Sequence, residues 1–344
     1  MKKTLFLWFG ILVSALFLYI ALRDLDVQTF LTQLRHANLG DIFIGFVILL
    51  IVYGVRTLRW KAIIDTECHV SLWHTFAIQM IGFFGNNVFP ARAGEIIRAF
   101  LLRRQIGVPR SFALGTIAVE RVSDLSALIG LLLLSLFLIP ADRLPAETGW
   151  IRLASGVVLV TFLSGAAVLV WARNWMGVVL HRVLTFVVSD RFATGIVSRF
   201  DAFAQGLTVL QRPGKLLLVM FYAVLDWVLM IGVFFSVFRG LNLDVPLVSA
   251  LFSVALVHLG MLIPASPGYV GTYEFFLKKA LGVFAVPGSV AVAVALVIRL
   301  LWYMFETVSG FVLLWTSQIS VKELFRITTE AAPDAENEAL DRPL

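Results

Sequence analysis

Charged side chains stand in the middle of chain segments that are otherwise apolar enough to lie in a membrane. Six of them fall in three such segments: Glu120, Arg121, Asp124, Asp226, Arg299 and Glu306. A charge at the bilayer centre costs at least ~2.5–3.5 kcal/mol on insertion scales, so it persists when it is paired or faces a cavity. Two interpretations stay open: the charges neutralise one another and lock helices together, or they contact a polar ligand and relay a proton.

Helical spacing predicts which of these side chains act together. Glu120 and Asp124 are four residues apart and Arg121 and Asp124 are three apart, so each pair shares a helix face. Arg299 and Glu306 are seven apart and also share a face. We expect Arg121 and Arg299 to pair with carboxylates in one state and with a ligand phosphate in another.

A second set of polar residues surrounds a break in the apolar stretch 73–102. Because the residue before a proline is pushed out of the helical region, Pro90 predicts the end of one half-helix, and Gly94 begins the next. Free N–H groups at a helix start suit an anion, and Arg92 can bind phosphate through two hydrogen bonds. Glu95 and Arg98 are three apart, so we expect them to pair. The predicted ligand contacts of this break are Asn86, Asn87, Arg92, Gly94, Glu95 and Arg98, with Arg121 beside them.

The second break, within the apolar stretch 248–284, has no basic residue at its tip. Glycines let the backbone approach a ligand closely, so the predicted contacts here are Ser266, Gly268 and Gly271. Glu274 is the charged group of this break, and we place it with the carboxylates that relay charge or protons. The simpler interpretation is that these glycines only form the turn.

The composition places most of the chain in a membrane. Of its 344 residues 60% are hydrophobic and 15% charged, and the mean hydropathy is +0.92. The net charge of +6 suits membrane orientation and anionic headgroups, and we expect no nucleic-acid partner. The sequence holds no Walker-type loop, dinucleotide fingerprint or His-Glu-x-x-His helix. We therefore expect no enzymatic activity, no cofactor and no metal ion.

Complete membrane spans need about 20 apolar residues. Six segments qualify: 4–22, 41–58, 112–139, 151–172, 216–238 and 290–315. The stretches 73–102 and 248–284 are long enough but interrupted centrally, and irregular backbone at membrane depth survives only within protein or beside a water-filled cavity. Such a pair of interruptions points to a transport site.

The distribution of Lys and Arg predicts how the interrupted stretches lie. The N-terminal lysines place the N-terminus in the cytoplasm, and Arg56 and Arg59 then mark the cytoplasmic end of the second span. A complete crossing by 73–102 would leave Arg103 and the arginines after it outside, against the positive-inside rule. Two re-entrant hairpins remove this conflict; eight full spans are the alternative.

The resulting order of span, span, hairpin and span occurs twice in opposite orientation, which is an inverted repeat. The fold class predicted is an all-α polytopic membrane protein with about six full spans plus two re-entrant helical hairpins. One transmembrane domain covers 1–320, with repeat one over about 1–140, repeat two over about 151–320, and a cytoplasmic interfacial segment at 176–211. Residues 321–344 are expected to form a mostly disordered cytoplasmic tail.

Together these polar residues resemble the pattern of the flippase-like transmembrane family, which shares its fold with the membrane domain of lysylphosphatidylglycerol synthase. The resemblance covers about residues 1–320. The matching positions are Arg92, Glu95, Arg98, Glu120, Arg121, Asp124 and Glu274. Members of that family are associated with moving lipids or lipid-linked sugars between leaflets, so the resemblance implies lipid translocation.

We therefore predict a flippase for an anionic or phosphate-bearing lipid, either a phospholipid or a lipid-linked precursor, with a proton gradient as the expected coupling. The expected location is the cell inner membrane with both termini in the cytoplasm, and the expected partners are membrane lipids. One alternative is a non-transporting accessory protein that partners a lipid-modifying or glycan-assembly enzyme. Another is an integral-membrane enzyme acting on lipid phosphate. The lipid, the direction of movement and the oligomeric state stay open.

Overall fold

Helices make up the regular secondary structure of the part of the chain that the computed structural model describes. That part comprises residues 12, 15–23, 25–89, 93–140, 156–157, 190–263, 267–317 and 323–324. No strand occurs among these residues, in agreement with the all-α prediction.

Residues 15–22 are helical and precede the helices of the first half. These are α1 (Val27–Arg35), α2 (Leu39–Ile64), α3 (Leu72–Val88), α4 (Ala93–Ile106) and α5 (Arg110–Leu138). The second half contains α6 (Asp190–Gly206), α7 (Pro213–Gly240), α8 (Leu247–Gly260), α9 (Thr272–Gly282) and α10 (Gly288–Thr316). Short 3₁₀ turns lie at Thr208–Gln211 and Pro267–Tyr269.

Four of these helices, α2, α5, α7 and α10, are long and apolar enough to cross a membrane. They correspond to the predicted spans 41–58, 112–139, 216–238 and 290–315. Much of the predicted span 4–22, nearly all of 151–172 and most of the predicted tail lie outside the described residues.

The first interrupted stretch forms two helices, one on each side of residues 90–92. α3 ends at Val88, and Phe89 then takes an extended conformation with φ −98° and ψ 149°. α4 begins at Ala93, one residue before the predicted start at Gly94. Gly82 and Gly85 of α3 lie against Arg98 and Ile97 of α4, so the two helices pack side by side in opposite directions.

The second interrupted stretch has the same construction. Gly268 and Gly271 in its turn have φ of +68° and +85°, a region in which glycine has no steric cost. Gly260 of α8 lies directly against the ring of Phe276 of α9, so these helices also form an antiparallel pair. Both interruptions are therefore helical hairpins.

The two halves meet through α2 and α7, which run antiparallel. Ile42 of α2 lies beside Gly240 of α7, and Arg56 near the other end of α2 contacts Asp226 of α7. The absence of a side chain at Gly240 lets the backbones approach closely, which brings the centres of the halves together.

Most of the remaining helix contacts occur in matching pairs. α3 packs on α10 as α8 packs on α5, and α4 packs on α5 as α9 packs on α10. The short helices follow the same rule, since α1 packs on α10 and α6 packs on α5. Of the predicted interfacial segment 176–211, residues 176–189 lie outside the described part, and α6 meets α5 where Gly206 approaches Gly115.

Candidate functional site

Arg56 and Arg59, which are predicted to mark the cytoplasmic end of the second span, lie within the long helix α2. The helix continues past the predicted limit of 58 to Ile64, with Trp60, Ile63 and Ile64 fully buried. Arg59 is itself only 1% exposed. The positive-inside rule did not predict this burial, because it counts basic residues along the sequence and carries no information on which carboxylates surround them.

Carboxylates on α5 and α7 compensate these two arginines. The Arg59 guanidinium donates to Asp124 at 2.6 Å and lies 3.6 Å from a Glu120 oxygen. The Arg56 Nε donates to Asp226 at 3.0 Å, and the second Asp226 oxygen lies 3.9 Å from Arg59. One network therefore joins α2, α5 and α7, and it confirms that Glu120 and Asp124 act from the same face.

The first hairpin adds two more ion pairs to this network. Arg98 donates to Glu120 at 2.5 Å and stacks 4.0 Å from the ring centre of Trp60. Arg121 donates to Glu95 at 2.9 Å. The predicted pair of Glu95 with Arg98 is therefore wrong: both residues reach across to α5, because α5 crosses the hairpin and offers each a nearer partner.

An asparagine caps the first turn of α4. The Gly94 N–H donates to Asn86 Oδ1 at 2.9 Å. This amide therefore has a partner within the protein, and the predicted anion contact at the start of α4 stays a prediction. Arg92, the predicted phosphate ligand, lies outside the described residues.

Glu306 differs from the other carboxylates of the site. It accepts hydrogen bonds from the Tyr53 hydroxyl at 2.8 Å and from Asn87 Nδ2 at 3.0 Å. It is 7% exposed, and among the described residues no Lys, Arg or His nitrogen lies within 4.0 Å of it. In the described part of the chain, the hydrogen-bond donors to this buried carboxylate within the site are the neutral side chains of Tyr53 and Asn87.

The second hairpin carries its own ion pair. Glu274 accepts from the Gly271 N–H at 2.7 Å and pairs with Arg299, which also donates to the Gly268 carbonyl. The sequence placed Arg299 and Glu306 on one face, but they bind different partners. Ser266 lies outside the described residues.

These elements enclose a cavity of about 330 Å³. Among the predicted site residues, those that line it are Asn86, Asn87, Glu95, Glu120, Arg121, Asp124 and Glu306. Arg98, Asp226, Gly94, Glu274, Arg299, Gly268 and Gly271 support the walls through the contacts above.

Aromatic residues also line the cavity, and none of them was predicted as a site residue from the sequence. They are Tyr53, Phe83, Trp227, Phe234, His258, Tyr269, Tyr273 and Trp302. The Trp227 Nε1–H is buried without an acceptor among the described residues, so a ligand oxygen in the cavity would satisfy it. Aromatic residues are common throughout this chain, and nothing in their spacing distinguishes these from residues that face lipid.

The described site therefore combines paired charges with neutral donors. Arg56, Arg59, Arg98 and Arg121 each have a carboxylate partner, so the described residues of the cavity carry no surplus of positive charge. A polar group in the cavity would exchange with internal partners and would not meet free arginines.

Comparison with known proteins places the chain in one family of membrane proteins. The family described as the lysylphosphatidylglycerol synthase TM region matches residues 7–310. A UPF0104 membrane protein of Methanothermobacter thermautotrophicus is 27% identical over 80% of this chain and 84% of its own length. A UPF0104 membrane protein of Methanocaldococcus jannaschii is 22% identical over 88% of this chain and 92% of its own.

A further relative, from Haloferax volcanii, is named glycosyltransferase AglD. It is 26% identical over 77% of this chain, and the match covers 47% of its own length. No solved structure matches the chain with significant similarity.

Proposed function

The chain belongs to the family of the lysylphosphatidylglycerol synthase transmembrane region, and from this premise we propose that it moves a lipid with an anionic or phosphate-bearing headgroup between membrane leaflets. The observation that carries the proposal is the cavity of about 330 Å³ that both hairpins and the four long apolar helices surround. A polar headgroup can cross the hydrocarbon region only where protein replaces its water.

Arg121 is the arginine best placed to receive the headgroup. Its side chain is 37% exposed and that of its partner Glu95 is 27% exposed, whereas Arg59 and Arg98 are 1% exposed. A phosphate can replace Glu95 at the guanidinium, because Arg binds phosphate through two parallel hydrogen bonds. Return of Glu95 to Arg121 would then release the lipid.

Matching helix contacts support an inverted repeat. The antiparallel pair α2 and α7 stands at its centre, and the contacts α3–α10 and α8–α5 are related by exchange of the two halves. In this proposal the hairpins are re-entrant, and rocking of one repeat against the other switches access to the cavity. The protein would lie in the cell inner membrane with both termini in the cytoplasm.

Removal of the Arg121 guanidinium tests the proposed headgroup contact. We expect Arg121→Ala to slow the movement of labelled phosphatidylglycerol in vesicles by about tenfold or more, since a hydrogen bond to a charged group is worth ~1.5–3 kcal/mol. Arg104→Ala is the control, because Arg104 forms an exposed pair with Glu323 at 3.1 Å. Equal rates for wild type and Arg121→Ala would refute the contact, and a purified wild-type protein that moves no lipid would refute the function.

Glu306 is our candidate for proton coupling, because it has no cationic partner among the described residues while the other carboxylates of the network have one. Gln at this position keeps an oxygen for Tyr53 but cannot exchange a proton. We expect Glu306→Gln vesicles to retain lipid movement at equal pH and to lose the acceleration that an imposed pH gradient gives wild type. Asp41→Asn, in the first turn of α2 and outside the cavity lining, should respond as wild type does. A full response by Glu306→Gln would exclude this role.

The name of one relative favours a second function. The glycosyltransferase AglD shares this region over 47% of its length, so the chain could serve as an accessory protein to a lipid-modifying or glycan-assembly enzyme. In both proposals the chain itself performs no chemical reaction. Purified protein alone separates them, since an accessory protein moves no lipid in vesicles.

A further inference from the structure

One pair of helix contacts breaks the match between the two halves. Exchange of the halves relates α2 to α7 and α5 to α10, so the contact of α5 with α7 should recur between α10 and α2. α5 and α7 do pack together, and buried Val119 and Val219 belong to one apolar cluster at their crossing. α2 and α10 make only marginal backbone contact.

A groove lies between α2 and α10, where close backbone packing is lacking. It has a volume of about 400 Å³ and is lined by Phe46 of α2 and by residues of α10: Leu300, Leu301, Met304, Phe305, Val308 and Ser309. The single hydroxyl in this lining is already used, because Ser309 donates to the Phe305 carbonyl at 2.5 Å. The groove is therefore an apolar surface that follows α10 from Leu300 to Ser309, about 13.5 Å at a rise of ~1.5 Å per residue.

Only one layer of side chains separates this groove from the charged cavity. The Phe305 ring in the groove lies 4.8 Å from the Tyr53 ring and 6.2 Å from the Phe46 ring, measured between centres. Tyr53 lines the cavity on its other side, where its hydroxyl binds Glu306. Consecutive residues of α10, Phe305 and Glu306, thus belong to the apolar groove and to the polar cavity.

We propose that the groove between α2 and α10 is a lateral portal that holds an acyl chain of the lipid whose headgroup occupies the cavity. Tyr53 and Phe305 are the side chains that close this portal. The crossing of α5 and α7 is its closed counterpart, which would open when the two halves exchange conformations. This inference rests on the proposed lipid translocation and adds the path by which the lipid enters.

The acyl chain is the occupant that the observations favour. The groove has no unpaired polar side chain for a peptide or a sugar, and it opens toward exposed apolar residues such as Leu300 and Met304. Its position beside the cavity, one layer of side chains away, matches a molecule that is apolar at one end and polar at the other. A separate membrane lipid would also fit the groove, but its chain would not be tied to transport.

A bulky side chain in the groove tests the portal. Met304 lines the groove and is 51% exposed; Ile51 of α2 is also 51% exposed but lies outside the groove lining. We expect Met304→Trp to slow the movement of fluorescent phosphatidylglycerol in vesicles by about tenfold (~1.4 kcal/mol), and Ile51→Trp to change it by no more than about twofold. Thermal unfolding of both variants checks that each is folded.

The outcomes separate the portal from the function. If wild type moves lipid and Met304→Trp moves it at the same rate, or if both Trp variants slow it equally, the portal is wrong and translocation stands. If wild type moves no lipid, the proposed function fails and the portal falls with it. As a second measurement, phosphatidylglycerol with a diazirine on its acyl chain should label Leu301, Met304 and Val308 more than Ile44 and Ile51, and equal labelling would also overturn the portal.

Discussion

Arg59→Ala is expected to lower the free energy of unfolding by about 3–5 kcal/mol, because removal of one partner leaves buried charges without compensation. The Arg59 guanidinium lies within 4.0 Å of Asp124, Glu120 and Asp226, which come from two other helices. Its loss would expose each of these carboxylates to the repulsion of the others. The expected effect therefore exceeds that of any single hydrogen bond in the site.

Denaturant unfolding in mixed micelles measures this loss. The control is Arg104→Ala, whose exposed ion pair with Glu323 should contribute no more than ~1 kcal/mol. Arg59→Lys keeps the charge but cannot reach all three carboxylates, so its stability should fall between wild type and Arg59→Ala. If Arg59→Ala and Arg104→Ala were equally stable, the network would not hold α2, α5 and α7 together.

The hairpins were predictable from sequence because their causes are local. Pro90 predicts the end of a helix from local geometry, and α3 ends at Val88, close to that limit. Gly271 likewise stands directly before α9, which begins at Thr272. The four long helices followed from apolar length for the same reason. Their orientation in the membrane and the re-entrant path of the hairpins remain predictions.

The partners within the site were not predictable, because they depend on how helices distant in sequence cross. Glu95 and Arg98 are neighbours on one helix, yet each binds a residue of α5 more than 20 positions away. The burial of Arg56 and Arg59 was not predicted either, although their spacing is compatible with it. Two arginines three residues apart, bordered by Trp60 and an apolar run, suit a buried helix face as well as a membrane boundary.

The ion pair of Arg121 fits the exchange that the sequence suggested, in which this arginine pairs with a carboxylate in one state and with a ligand phosphate in another. Its partner is Glu95 at 2.9 Å, so an incoming phosphate must displace an internal anion. Such an exchange keeps the number of buried charge pairs constant, which lowers the cost of moving a headgroup through the protein.

Gly94→Ala is expected to destabilise the protein by ~3 kcal/mol or more, the upper part of the range for overpacking. A Cβ on Gly94 would overlap the Gly82 carbonyl oxygen and would lie 2.6 Å from the Asn86 side-chain oxygen that caps α4. The backbone of α3 cannot give way as a flexible side chain can, so the hairpin must open and its cap weaken.

Gly54→Ala is the matched control, since nothing lies within 4 Å of a Cβ there and an alanine in that helix should stabilise by ~0.5–1 kcal/mol. Opposite signs for the two variants in denaturant unfolding, with lipid movement lost only in Gly94→Ala, are the expected result; a Gly94→Ala protein as stable as wild type would show that the hairpin is not closed at this turn.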